Sequence, residues 1–227
     1  MYSNEETIYK NTKNLHQSMR ITTDARFQAS KRLNSMDNYA FVTTTVLSLG
    51  LILIPLLQLS GLKLYYPEKV LSAIQIFFAV AVLVYSVIIS TAKYSVRAIE
   101  FSQCADSIKD LARNVKNALA QHSEKPLTES QFNEFNDSYR QCLINSENHS
   151  DHDYYVVRHT LRIKDKDKSE GLHWFDRTIK HNFYRFILKV SCGKKYIFPT
   201  LMMMFELVVI FDILGFTTII HPFIIKF

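Results

Sequence analysis

Two carboxylates, Glu206 and Asp212, sit inside the apolar run LMMMFELVVIFDILGF, residues 201 to 216. In a soluble core they need only local partners. In a membrane helix each is costly to insert, and such acids face other helices, water or a bound partner. Six residues apart, they differ by about 120° around a helix and about 9 Å along it. They are therefore expected as intramembrane polar contacts with two different neighbours or one wide aqueous surface. The remaining chemistry-bearing residues form no catalytic constellation. The stretch HSDHD, His149 to Asp153, has metal-ligand types but no second cluster at ligand spacing, and it reads as a solvated loop. Cys104, Cys142 and Cys192 are widely spaced, with no CxxC or Cys/His pattern, and read as reduced thiols used in packing. No glycine-rich phosphate loop and no nucleophile with a placed base occurs. The expectation is a chain that is not an enzyme and has no cofactor and no metal.

The elements that must hold the two acids are set by charge segregation. Residues 38 to 62 and 70 to 92 carry no formal charge, and windows of this length exceed the roughly 20 residues needed to cross a bilayer as a helix. Spans are expected at 39 to 59 and 70 to 92, joined by a turn at Ser60-Gly61, with Tyr65, Tyr66 and Pro67 suited to the membrane interface. Gly50 and Pro55 predict a local bend in the first span. The first 37 residues are polar and lack the apolar centre of a signal peptide, so residues 1 to 38 read as a retained cytosolic helix. Lys and Arg near the spans number four before the first (Arg20, Arg26, Lys31, Arg32), two in the connector (Lys63, Lys69) and three after the second (Lys93, Arg97, Lys109). That bias favours a hairpin with both ends cytoplasmic. The net charge of +6 is assigned to anionic headgroups rather than to nucleic acid, for which no direct binding is expected.

Past the second span, Tyr94, Ala98, Phe101, Ala105, Ile108, Ala112, Val115 and Leu119 alternate by four and three, the seam of a left-handed coiled coil. Residues 93 to 120 should continue the second span as one long cytosolic helix. A weaker stripe, interrupted by Thr and Arg, precedes the first span through Ile8, Thr12, Leu15, Met19, Thr22, Arg26, Ala29, Leu33 and Met36. It is the expected partner of the seam, which also suits self-association of copies.

At this point the chain resembles a known family. The stretch RFQASKRLNSMDNYAFVTTTVLSLGLILIPL, residues 26 to 56, is similar to the SLATT family of two-membrane-span effector domains, in particular its fifth, reverse-transcriptase-associated subfamily. Arg26, Phe27, Ala29, Ser30, Lys31, Arg32, Leu33 and Asp37 carry the likeness, followed by the apolar LSLGLILI run, and it extends over about residues 5 to 120. The resemblance implies a pore-forming or membrane-damaging effector of anti-phage defence that kills or arrests the infected cell. It also implies a retron-type partner, a reverse transcriptase with its RNA and DNA. The two-span description does not lead one to expect the extension over residues 121 to 227.

In that extension, residues 121 to 171 read as a cytosolic helical region and linker. Thr128 and Gln131 fit a capping box opening a helix with Phe132, Phe135, Tyr139, Cys142 and Leu143 on one face. Asn145 to Asp153 reads as a polar turn, Tyr154 to Ile163 as strand or helix, and KDKDKSEG, 164 to 171, as a solvated linker. Residues 172 to 196 mix aromatic and basic residues, as an interfacial helix on the inner leaflet does; its membrane-surface candidates are Trp174, Arg177, Lys180, Arg185, Lys189, Lys194 and Lys195. The apolar segment 197 to 227 follows, a candidate third span. Its window 197 to 220 has 14 Leu, Ile, Val or Phe residues, worth roughly 0.3 to 0.6 kcal/mol each against about 2.5 to 3.5 kcal/mol for a central acid, so insertion is near balance. The fold class is an all-α membrane protein: a transmembrane hairpin continued into a cytosolic coiled coil, plus a helical C-terminal region. The expected location is the bacterial inner membrane with the N-terminus cytoplasmic. The competing reading is a membrane-anchored scaffold or sensor that binds a partner through its cytosolic helices without permeabilising anything.

Overall fold

The computed structural model describes residues 2–61, 64, 66–144, 146–148, 150–169 and 196–219. All regular structure among them is helical: α1 (Tyr2–Leu59), α2 (Glu68–Ala92), α3 (Tyr94–Ala120), α4 (Glu129–Ile144), α5 (Asp151–Ser169) and α6 (Tyr196–Ile213). The chain is an all-α membrane protein with three helices long and apolar enough to cross a bilayer, held in α1, in α2 and in α6. It divides into two compact units, one of Met1–Ser35 and Tyr94–Asn182, the other of Met36–Lys93 and Phe183–Phe227.

The membrane unit is built by local satisfaction of backbone and hydroxyl groups, which hydrocarbon demands. Thr43, Thr44 and Thr45 each donate a hydroxyl to the carbonyl four residues back, at 2.9 Å. Pro55 lies in α1 near its C-terminal end, where its missing N–H leaves a carbonyl to be satisfied otherwise. The helix stops at Gly61, whose φ of 70° is the left-handed conformation glycine adopts without a Cβ penalty. Ile54, Tyr66, Leu71, Phe78, Val209 and Ile213 form the buried cluster. Tyr66 is thus a core residue, 6% exposed, and not the interfacial anchor its position suggested, because its hydroxyl has a buried acceptor. Outward, Ile76, Phe77, Val80, Leu83 and Val87 on α2 are all more than half exposed. A contiguous apolar surface of this kind suits lipid tails and not water.

The second span does not run on as a single uninterrupted helix. Lys93 adopts φ 47°, ψ 45°, a left-handed residue that ends α2 before α3 starts at Tyr94. A non-glycine residue there costs about 1 to 2 kcal/mol.

In the other unit, the α3 seam is filled by the same chain. Met19, Ile108, Ala112 and Val115 form one buried cluster, against which Leu15, Phe135, Tyr139, Cys142 and Leu143 pack. Ala29, Leu33, Ala98 and Phe101 form a second, with Tyr94 at its edge. Truncating a side chain as buried as Phe101, 2% exposed, costs about 3 to 5 kcal/mol. After Lys125-Pro126, α4 opens on a reciprocal pair: Thr128 N–H donates to Gln131 Oε1 at 3.1 Å, and Gln131 N–H to Thr128 Oγ1 at 3.3 Å. Helix α5 runs from Asp151 to Ser169, so 164 to 169 of the expected linker are helical. Lysine is a good helix former and aspartate a poor one, and the polarity of the tract alone did not break a helix already started.

Candidate functional site

Two groups of buried polar residues stand out, one in each unit. In the first, three arginines fasten the segment between α4 and α5. Arg26 is 2% exposed although it lies on the α1 stripe between apolar neighbours. Its Nη1 donates to Ser146 Oγ and, at 3.2 Å, to the Glu147 carbonyl. The guanidinium carbon lies 6.0 Å from the centre of the Phe101 ring, within reach of a cation–π attraction. Arg32 grips Asp153 with two bonds, Nε to Oδ1 at 3.0 Å and Nη2 to Oδ2 at 2.9 Å. Arg97 grips Glu147 in the same way at 2.8 and 2.7 Å. Planar fork-to-fork pairing fixes orientation as well as charge.

Asp153 is the buried member, with no exposed surface, and it also accepts from Ser150 Oγ at 2.6 Å at the start of α5. Burial pushes its carboxyl upward, but the bonds from Arg32 and Ser150 and the charges of Arg32 and His152 outweigh that and hold it below its ordinary value. Residues 146 to 148 and 150 to 153 are therefore no freely solvated loop, and 151 to 153 open α5. Its Asp153 serves an ion pair, and no cluster of three or more metal-ligating side chains occurs among the described residues. Arg26, Arg32 and Arg97, counted from sequence as headgroup-facing charges, each have partners within the chain, Arg26 while itself buried, Arg32 at the buried Asp153 and Arg97 in an exposed pair.

The polar residues that interrupt the α1 stripe have defined partners. Thr12 bonds back to the Ile8 carbonyl at 2.8 Å, and Thr22 shares a 2.7 Å bond with the Tyr139 hydroxyl. On α3, the Cys104 thiol donates to the Cys142 carbonyl at 3.1 Å. Burial and the neighbouring Cys104 raise the Cys142 thiol, so Cys142 stays a thiol of low reactivity. Of the seam residues, Ala98, Phe101, Ala105, Ile108, Ala112 and Val115 are buried, and Tyr94 and Leu119 are partly so.

The second group holds the two acids of α6. Glu206 is wholly buried, with no hydrogen-bond partner for either carboxylate oxygen among the described residues. It occupies the notch left by Gly50 of α1: a Cβ at Gly50 would lie 2.2 Å from Glu206 Oε1 and 2.5 Å from Cδ. Glycine is required here by close approach, not by φ. Asp212, 1% exposed, is instead richly bonded. Tyr66 donates its hydroxyl at 3.1 Å, Ile219 its N–H at 3.1 Å, and Thr217 its hydroxyl.

These bonds join the C-terminal turn of α6. There Gly215, at φ 77°, donates to the Asp212 carbonyl and Phe216 to the Phe211 carbonyl, both at 3.0 Å. That is the Schellman pattern, and the Phe211 and Phe216 rings, 6.2 Å apart, supply its apolar contact. The acids thus meet two different neighbours, Gly50 on α1 and Tyr66 before α2. The membrane-surface candidates Trp174, Arg177, Lys180, Arg185, Lys189, Lys194 and Lys195, and with them nearly all of the basic aromatic segment 172 to 196, lie outside the described residues.

Sequence reasoning missed the Arg32–Asp153 and Arg97–Glu147 pairs and the seat at Gly50. The first two join residues far apart in the chain, which no spacing rule reaches. The Gly50 notch had a signal, a glycine inside an apolar span, but it read as a bend.

Comparison with curated proteins and with solved structures found no match. The profile described as SMODS and SLOG-associating 2TM effector domain family 5 matches residues 8–224. That range extends well beyond the 5 to 120 on which the resemblance rested, and it takes in α4, α5 and α6, so the C-terminal half is part of the family's own domain. A chain with membrane-length helices and this match over nearly its whole length belongs to that SLATT effector family.

Proposed function

We propose that the chain is an effector of bacterial anti-phage defence that permeabilises the inner membrane when activated, with its N-terminus in the cytoplasm. Membership of the effector family over residues 8–224, on a chain with three membrane-length helices, carries this reading. Permeabilisation by this route has copies associate in the bilayer, and the exposed apolar face of α2 is available for that. The seam residues Tyr94 to Leu119 support association indirectly, by holding the cytosolic helices in one shape. The reading assigns no catalysis and no cofactor. Its partner is a reverse transcriptase with its RNA and DNA, acting as regulator in a retron or related abortive-infection system.

Induced expression in bacteria loaded with a membrane-potential dye tests the proposal. Rapid depolarisation ahead of growth arrest is expected. Growth without leakage, with the protein present in the membrane fraction, would leave the scaffold reading standing in its place. A topology reporter fused after residue 64 should read periplasmic and one near residue 125 cytoplasmic; a cytoplasmic signal at 64 means the hairpin does not cross.

A further inference from the structure

Between α1 and α5 lies a cleft of about 450 Å³ whose lining includes Lys13, His16, Gln17, Arg20, Tyr154 and Arg158. The size falls in the range of small-molecule sites, roughly 300 to 1,000 Å³. Positions 13, 16, 17 and 20 share one face of a helix, so α1 presents its bases as a row, and α5 supplies Arg158 opposite. No carboxylate occurs among the described lining residues.

That absence is unusual for this unit. Its other arginines near an acid are paired, as in Arg32–Asp153, Arg97–Glu147 and Arg113–Asp110, whereas Lys13, Arg20 and Arg158 have no ion pair among the described residues. Like charges crowded on adjacent helix turns repel each other. The imidazole of His16 registers the crowding: its pKa is lowered by burial and then by the positive charges of Arg20 and Lys116. Arg158 is held in place, its guanidinium carbon 5.8 Å from the centre of the Tyr154 ring and its Nη1 donating to the Tyr154 hydroxyl at 3.3 Å. Ile21 and Leu161 complete the wall, giving the cleft an apolar side beside its donors.

We infer that this cleft is a binding site for a small phosphorylated molecule of about nucleotide size, whose phosphates are held by Lys13, Arg20 and Arg158 and whose uncharged part lies along Tyr154, Ile21 and Leu161. Arginine forks match phosphate oxygens in pairs, and lysine adds a point charge. The site is independent of membrane permeabilisation, so it stands or falls by binding alone.

The test uses the full chain in phosphatidylcholine nanodiscs at low salt, titrated calorimetrically with inorganic pyrophosphate and with ATP. ATP should bind more tightly than pyrophosphate, and the affinity of both should fall as salt is raised. The double change Arg20→Gln, Arg158→Gln should weaken ATP binding at least tenfold, while Arg113→Gln, a charge removed elsewhere on the same unit, leaves it unchanged. If the double variant loses helicity, Arg20→Lys with Arg158→Lys keeps the charge and loses the forks, and a several-fold weakening is expected. No binding of either probe at millimolar concentration, or equal binding by wild type and variant, overturns the inference. So does stabilisation by phosphatidylglycerol nanodiscs that needs Arg20 and Arg158 while neither soluble phosphate binds, because the occupant is then a lipid headgroup.

Discussion

Replacing Asp153 by Ala removes the buried half of the Arg32 pair. Two charge-assisted bonds of 3.0 and 2.9 Å and the 2.6 Å bond from Ser150 are lost together. Breaking one side of a buried pair costs about 3 to 5 kcal/mol. The Arg32 side chain keeps 16% of its exposure and can recover some hydration, which places the change at the lower end, about 3 kcal/mol. For a chain of this size that lowers the melting temperature by about 6 to 12 °C. Thermal unfolding in detergent, followed by helicity, measures it, and a cycle with Arg32→Met isolates the pair at about 2 kcal/mol or more of coupling.

The pH dependence follows from the sign of the shift. The folded carboxyl is held below its ordinary value, so Asp153 contributes fully above the unfolded value of about 3.9, and the contribution fades as pH falls through the lower folded value. The gap between wild type and Asp153→Ala should be constant from pH 8 to pH 5 and shrink below pH 4. Additive single changes, or a gap that persists at pH 2.5, would show that the pair does not hold the segment.

At Gly50, an added methyl displaces the Glu206 carboxyl from its seat; Gly50→Ala should cost about 1 to 3 kcal/mol, and Glu206→Ala in the same chain should recover most of it in the same melts. Additivity would contradict the close approach. Lys93→Gly relieves the left-handed backbone and should raise stability by about 1 kcal/mol, whereas Lys93→Val should lower it. Gly215→Ala should destabilise the end of α6 by about 1 kcal/mol or more, seen as faster amide exchange at Phe216 and Ile219; unaltered exchange would refute the capping role. His16, whose folded pKa is lowered, costs stability as pH drops below its unfolded value of about 6.5, so His16→Gln should flatten the stability profile between pH 7 and pH 5.

The parts of the fold legible in the sequence are those written in periodicity and charge. The uncharged windows mark α1's apolar half and α2, and the four-three alternation from Tyr94 marks the buried face of α3, because both signals repeat within one element. Thr128 and Gln131 are legible because a capping box is local. The break at Lys93 is not, since lysine gives no hint of a left-handed residue. Nor is the burial of Arg26, which composition assigns to the surface and only Ser146, Glu147 and Phe101 make tolerable. Glu206 and Asp212 are conspicuous from sequence as acids in an apolar run, but their different fates depend on Gly50 and Tyr66, residues more than 140 positions away in the chain.

Reconstitution of the purified chain into liposomes that enclose a self-quenched dye tests membrane permeabilisation most directly. Leakage should appear on reconstitution and rise more steeply than linearly with the ratio of protein to lipid, as an assembly of several copies requires. Liposomes that stay sealed at every ratio, while the protein resists carbonate extraction and keeps its helicity, would contradict the assignment of this chain as a permeabilising effector.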